Sequence, residues 1–396
     1  MISSLMIPEK STLKSPDKRY FRDYILIIGF AIAITNSIIF QILNVQFVPI
    51  RTSEFIDIIF VAFVILSIRK IDLSSLLFSL LIIIYATLVI FLSYANDVPL
   101  YEAVRATKWS YYLALIILAQ NGLPLSKRFF LKFVRYSLII CFIKYLFDKI
   151  MFGFTYRPYL IYENNFELLF LSILYIGFLF EHRINEQRRI NFYTFLFLMI
   201  SFMSLSRWAV VSTCLILIVM NFNNKNAKAK YIQIVFITAS LTFLVVTLTI
   251  RVQNLKDIDR YKFFVILLEE LKKNSLTEWL VKPNLVLKSL SSDSCTSLRF
   301  YQLLLADTET NSCYSVILHS FVLRILFDFG PIILTLLLTV FFILFKRNFD
   351  SKVAFLCLMI LILNGLSVSS INTGFGALPF VIIILNRSTW TKAPSI

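Results

Sequence analysis

Apolar runs long enough to cross a bilayer recur along this chain, separated by short polar joints, and no other feature constrains its fold so tightly. Roughly 20 apolar residues suffice to cross the hydrocarbon as a helix. With its N–H and C=O groups bonded inside each run, a helix is the economical way for such a segment to enter lipid. Apolar residues make up 58% of the 396 and charged residues 16%. A water-soluble domain is about half apolar and a quarter charged, so one aqueous core cannot hide this much apolar surface.

The runs read as spans over 24–43, 53–68, 73–93, 107–120, 132–152, 165–181, 190–205, 207–222, 231–250, 315–345, 351–366 and 371–386. The fold expected is therefore an all-α polytopic membrane protein of about twelve transmembrane helices. The fourth run is the weakest, because Lys108 stands at its start. Residues 1–23 are polar and basic, and the first apolar run is long enough to stay as a span rather than be cleaved as a signal.

Basic residues orient the spans, since Lys and Arg collect in cytoplasmic joints. With residues 1–23 as a cytoplasmic tail, the alternate joints on that side hold 22 of the 39 Lys and Arg residues. Examples are Lys10, Arg22, Arg69, Lys127, Arg183, Lys225, Arg347 and Arg387. The short joints on the far side hold only Arg51, Arg105, Lys108, Lys149, Arg157 and Arg207. The domain reading is then a bundle over 24–250, a large outer loop over 251–314, spans ten to twelve over 315–386, and a cytoplasmic tail over 387–396. Both termini are expected inside and the loop, between spans nine and ten, outside. That loop is too long for a mere connector and contains a helical stretch, Arg260 to Lys273.

The net charge of +16 is explained by this bias, so a nucleic-acid partner is not expected. There is no Gly-rich phosphate loop. Two histidines and five scattered cysteines leave no metal cluster with recognisable spacing, and neither metal nor cofactor is expected. Cys295 and Cys313 both fall in the outer loop, where an oxidising compartment favours a disulfide over two free thiols.

Several polar residues stand where chemistry is feasible. Arg105, Arg157, Arg207 and Arg260 sit near the outer boundary; each alone reads as an interfacial anchor, and together they suit an anion. Arg207 lies in the tight joint Ser204-Leu205-Ser206-Arg207-Trp208. His319 opens the tenth run and is the only outer histidine. Its neutral imidazole suits accepting a proton from a hydroxyl, although a lone His on an apolar helix is commonly structural. Arg324 and Asp328 are four apart on one face and read as a structural ion pair. Glu163 and Glu167 are also four apart, either as outward carboxylates or as an interfacial cap. Glu102, Arg105 and Lys108 read as a solvated stripe.

These residues together resemble the bacterial O-antigen polymerase and O-antigen ligase superfamily. The likeness rests on Ser204-Leu205-Ser206-Arg207 before an apolar run, on Arg260-Tyr261-Lys262-Phe263 opening the loop, and on the stretch His319-Ser320-Phe321 through Asp328-Phe329-Gly330 closing it. Ser320 stands where the family commonly has Asn, Asp328 where it has Glu, and the family's Gly-rich loop turn is absent. The resemblance implies a GT-C-like enzyme that joins oligosaccharide repeat units carried on undecaprenyl diphosphate, at the periplasmic face and without metal. It implies that Arg207, Arg260 and Arg157 hold the diphosphate and that His319, with Arg260, serves catalysis. Arg324, Asp328, Glu163 and Arg105 would support them. A chain-length regulator is an implied partner. The same family leaves open a ligase that moves polymer onto lipid A core. A lipid-linked oligosaccharide flippase is a different class with about as many spans; such carriers often show two similar halves, and no internal repeat is seen here.

Overall fold

The computed structural model describes residues 16–43, 52–161, 164–185, 190–221, 259–273, 285–298 and 313–386, with isolated positions at 238, 242 and 280. The expected span 231–250, Glu163, the side chain of Arg260 and the tail 387–396 lie outside the described residues. Among the described residues every regular element is helical. They are α1 (Pro16–Leu43), α2 (Thr52–Ser67), α3 (Leu73–Ala95), α4 (Leu100–Ala119), α5 (Lys127–Phe152), α6 (Asn164–Asn185), α7 (Ile190–Met203) and α8 (Arg207–Asn221). Then follow α9 (Asp259–Lys272), α10 (Ser292–Ser297), α11 (Phe321–Lys346), α12 (Ser351–Ser367) and α13 (Gly374–Leu385).

Packing is inside-out relative to a soluble bundle. On α3 the buried residues are Ser75, Ser79, Ala86, Val89 and Ser93, whereas Leu77, Leu81, Leu88 and Phe91 are exposed. Small residues on the inner face let α4 come close, and Ser79 Oγ donates to the Ala114 carbonyl at 3.1 Å. The outer face is apolar, which suits lipid and would aggregate in water. At the other extreme, every residue of α13 is buried, as expected of a helix surrounded by others. It packs on α2, α4 and α6. Gly374 is needed where it crosses α2, since a Cβ there would lie 2.9 Å from Asp57 Cα. Among the described residues three helices, Arg19–Leu43, Leu73–Ala95 and Phe321–Lys346, are long and apolar enough to cross a membrane. Other apolar helices, such as Ser351–Ser367 and Gly374–Leu385, are shorter.

Polar contacts gather at the two ends of the bundle. At one end Arg22 is fully buried and donates to the carbonyls of Leu123 and Pro124. There too Leu123 N–H meets the Ser67 carbonyl, Lys127 pairs with Glu181 at 2.9 Å, and Arg347 donates to Gln120. At the opposite end Lys144 Nζ lies 2.6 Å from Asp148 and 2.5 Å from Gln41 Oε1. Gln41 and Arg22 belong to the same helix and are separated by about 28 Å at 1.5 Å per residue. That is close to the roughly 30 Å of bilayer hydrocarbon.

Two of the expected elements are corrected. The fourth helix starts at Leu100, not 107, because Lys108 does not have to stay in water: its ammonium pairs with Asp57 of α2. The expected continuous helix over 315–345 is broken. A 3-10 turn, Ser315–Leu318, is followed by His319 at φ +47 and only then by α11, which Ser320 caps by accepting from Leu323 N–H. Within α11, Gly330 at φ +80 precedes Pro331, which has no N–H to continue the ladder.

Candidate functional site

The segment between α8 and α11 and the bundle meet at the N-terminal end of α11, and the described parts of that segment form a small unit of their own. Phe263, Ile266 and Leu267 of α9 pack with Leu290, Cys295, Leu298, Cys313 and Leu318, and onward to Leu323 and Phe327 of α11. Cys295 and Cys313 are bridged, with Cα atoms 5.8 Å apart, and Leu290 N–H donates to the Cys313 carbonyl at 2.8 Å. Glu270 ties α9 to α10 by accepting from Ser294 Oγ at 2.6 Å and from Ser291. Burial works to raise the Glu270 pKa, but the hydrogen bonds from Ser291, Ser294 and Lys273 outweigh it and hold the carboxyl below the usual glutamate range. Leu287 N–H donates to Ser93 Oγ of α3 at 3.0 Å, which fastens the unit to the bundle.

Directly beneath sits Arg324, one turn into α11 and 5% exposed. Its Nη2 donates to the Arg105 carbonyl at 3.0 Å and its Nη1 lies 3.4 Å from Ser369 Oγ. Asp328, one turn further on, is also buried and accepts from Ser315 Oγ. The expected Arg324–Asp328 ion pair is thus divided between other partners, although the two charges attract, as do Arg324 and Glu102. Helix geometry explains the division. The two residues stack on one face, but Arg324 reaches α4 and the segment after α12, while Asp328 is met by Ser315.

Two buried donors in this region have no acceptor among the described residues: Arg324 Nε and Trp109 Nε1. Trp109 lies one turn after Arg105 on α4 and meets the Phe329 ring edge-on at 5.6 Å. Leaving a buried donor unmade costs about 1–3 kcal/mol, so an oxygen acceptor that reached either group would be held there.

The remaining expected residues stand beside a run of hydrogen bonds that leads to this end. Arg157 is exposed in the turn after α5, which Lys149 Nζ holds through the carbonyls of Phe154 and Tyr156. The same turn reaches α6, where Leu160 and Ile161 donate their N–H groups to Glu167. Asn165 then accepts from Ser206 Oγ at 2.8 Å, immediately before the half-buried Arg207, and from Asn364 through its carbonyl. Asn364 in turn accepts from Ser370, next to Ser369. His319 is half-buried between the 3-10 turn and α11, and Arg105 lies over the Tyr101 ring at 5.0 Å.

Other expectations are corrected. Glu167 is not an outward carboxylate; it is 1% exposed and also accepts from Tyr145 Oη at 3.0 Å. The stripe of Glu102, Arg105 and Lys108 is not a solvated face, since it borders α2 and α11. Trp109, Asn364 and Ser315 escape sequence reasoning. The legible signal for Asn364 is an amide inside an otherwise apolar run, which must find a partner there.

Set beside protein-family models, curated proteins and solved structures, the chain matches none of them, so the geometry above carries the functional reading alone.

Proposed function

We propose that the protein is a glycosyltransferase that polymerises oligosaccharide repeat units carried on undecaprenyl diphosphate, working at the outer face of the bacterial inner membrane. The observation that carries this reading is the pair of unpartnered buried donors, Arg324 Nε and Trp109 Nε1, beneath the loop segment. A diphosphate leaving group brings the oxygen acceptors they need, and a preorganised guanidinium stabilises the charge that develops as the sugar departs. In the reaction a sugar hydroxyl oxygen bonds to the anomeric carbon of the donor. The bond from that carbon to the diphosphate oxygen breaks, and undecaprenyl diphosphate leaves with its electron pair. His319, just before α11, takes the hydroxyl proton; Arg207, Arg260 and Arg157 are the cations assigned to the diphosphate.

The about twelve spans, cytoplasmic termini and periplasmic loop belong to the same reading. Its support is the separation of chemistry between the two ends. Arg22, Lys127 and Arg347 stand at one, and the Cys295–Cys313 bridge, at home in an oxidising compartment, stands at the other.

Deletion of the gene followed by electrophoresis of surface polysaccharide tests the proposal. Loss of a polymerase leaves lipid A core with a single repeat, or no capsule. Full-length polymer stranded on undecaprenyl diphosphate would mean a ligase instead, and single units trapped on the inner leaflet would mean a flippase. Normal chain lengths would sink all three.

A further inference from the structure

A second feature lies away from the loop. Between α1, α5 and α6 there is a cavity of about 480 Å³ whose walls are almost wholly apolar, with Phe30, Phe133 and Phe170 at its back. Along α5 it runs from Phe129 to Ile140, about 16 Å at 1.5 Å per residue, which is the depth of a single leaflet. Its outer end is closed by Leu160 and by Glu167, whose carboxylate is occupied by Tyr145 and two backbone N–H groups and asks nothing of a ligand. Its other end carries Lys132, which is exposed and has no carboxylate partner among the described residues. This is the end of the bundle at which Arg22 and Lys127 also stand. At the rim Ile27, Tyr136 and Ile140 are exposed, so the cavity opens sideways rather than to water.

We infer that this cavity is a binding site for an anionic glycerophospholipid of the inner leaflet, one acyl chain filling it and the phosphate resting against Lys132. The polarity fits no other amphiphile as well. A polyprenyl diphosphate engaged at Arg324 has its phosphates at the opposite end of the bundle. A zwitterionic lipid gains less from a lone ammonium, because its own amine competes. The inference rests on the reading of the chain as membrane-spanning, not on the polymerase assignment, and it stands if that assignment falls.

The test uses the purified full-length chain in nanodiscs with a phosphatidylglycerol that carries a diazirine in one acyl chain. Photolysis and peptide mass spectrometry should place crosslinks on the segments around Ile27–Ile34 and Phe133–Ile140. Unlabelled phosphatidylglycerol should compete about fivefold better than phosphatidylethanolamine, the advantage expected of one basic residue at a lipid surface. Lys132→Gln should erase that preference and keep crosslinking. Ala31→Trp, which fills the cavity from a rim position, should abolish crosslinking with helix content unchanged; if that variant misfolds, Ser137→Phe makes the same test from the opposite wall. Crosslinks elsewhere, a preference that survives Lys132→Gln, wild-type labelling in a folded filling variant, or better competition by polyprenyl phosphate than by phosphatidylglycerol would each overturn the inference.

Discussion

Arg324 Nη2 donates to the main-chain oxygen of Arg105 across 219 residues of chain, and with the Trp109–Phe329 ring contact it joins α11 to α4. The guanidinium acts as a bracket as well as a charge. Arg324→Lys keeps the charge but cannot span the Arg105 carbonyl and Ser369 together. The expected result is loss of polymer ladder with little loss of stability. Arg324→Ala also removes the cation that offsets Asp328 and Glu102, and should cost about 3 kcal/mol in detergent unfolding. A full ladder in Arg324→Lys would remove this side chain from the proposed site.

His319 holds φ +47, a conformation Asn tolerates better than most residues. His319→Asn should therefore fold like the parent and still lose polymerisation, because it has no ring nitrogen to take a proton. His319→Ala should lose both activity and some stability. An active His319→Asn would assign the residue a backbone role only.

The Cys295–Cys313 bridge closes a segment with a sequence separation of 18. In the chain-entropy model a loop of this size contributes about 3 kcal/mol. Thiol reagents added to intact cells should label neither cysteine until a reductant is present. Cys295→Ser should make the loop segment protease-sensitive at lower temperature. Labelling of both residues without reductant would contradict the bridge.

Glu270 gives the loop a pH dependence whose sign is fixed. Its folded pKa is lowered by Ser291, Ser294 and Lys273 from an ordinary value of 4.5. The stabilisation is complete above that value and is lost as pH falls through the lower, folded one. Hydrogen exchange at residues 290–298 should accelerate below pH 4.5, beyond the intrinsic trend. Glu270→Gln should flatten the profile; an unchanged profile would show that another group controls the loop.

Lys144 and Asp148 form a buried pair with Gln41 at the end of α5. Asp148→Asn leaves a buried ammonium with weaker acceptors and should cost about 3–5 kcal/mol. Lys144→Met combined with Asp148→Leu should recover most of that loss, measured as unfolding temperature in the same detergent. A double variant as unstable as the single would mean that Gln41 and Tyr156, not the charge balance, hold this corner.

Helix formation was readable residue by residue, because each apolar run closes its hydrogen bonds within itself and needs no distant partner. So α3, α5, α6 and α12 lie close to their expected ranges, and the helix in the loop, α9, starts within one residue of Arg260. The two cysteines in the loop were likewise visible as a pair. What the sequence could not determine was which polar groups meet. Glu167 turns inward because Tyr145 and the backbone of Leu160 and Ile161 wait there. Lys108 enters a helix because α2 brings Asp57 to it, and Arg324 and Asp328 part company because α4 and Ser315 approach from different sides. In an environment with little water, a polar side chain takes the partner that helix packing delivers. Packing depends on contacts between separate segments, Arg324 and Arg105 being 219 residues apart, and only the tertiary structure decided it.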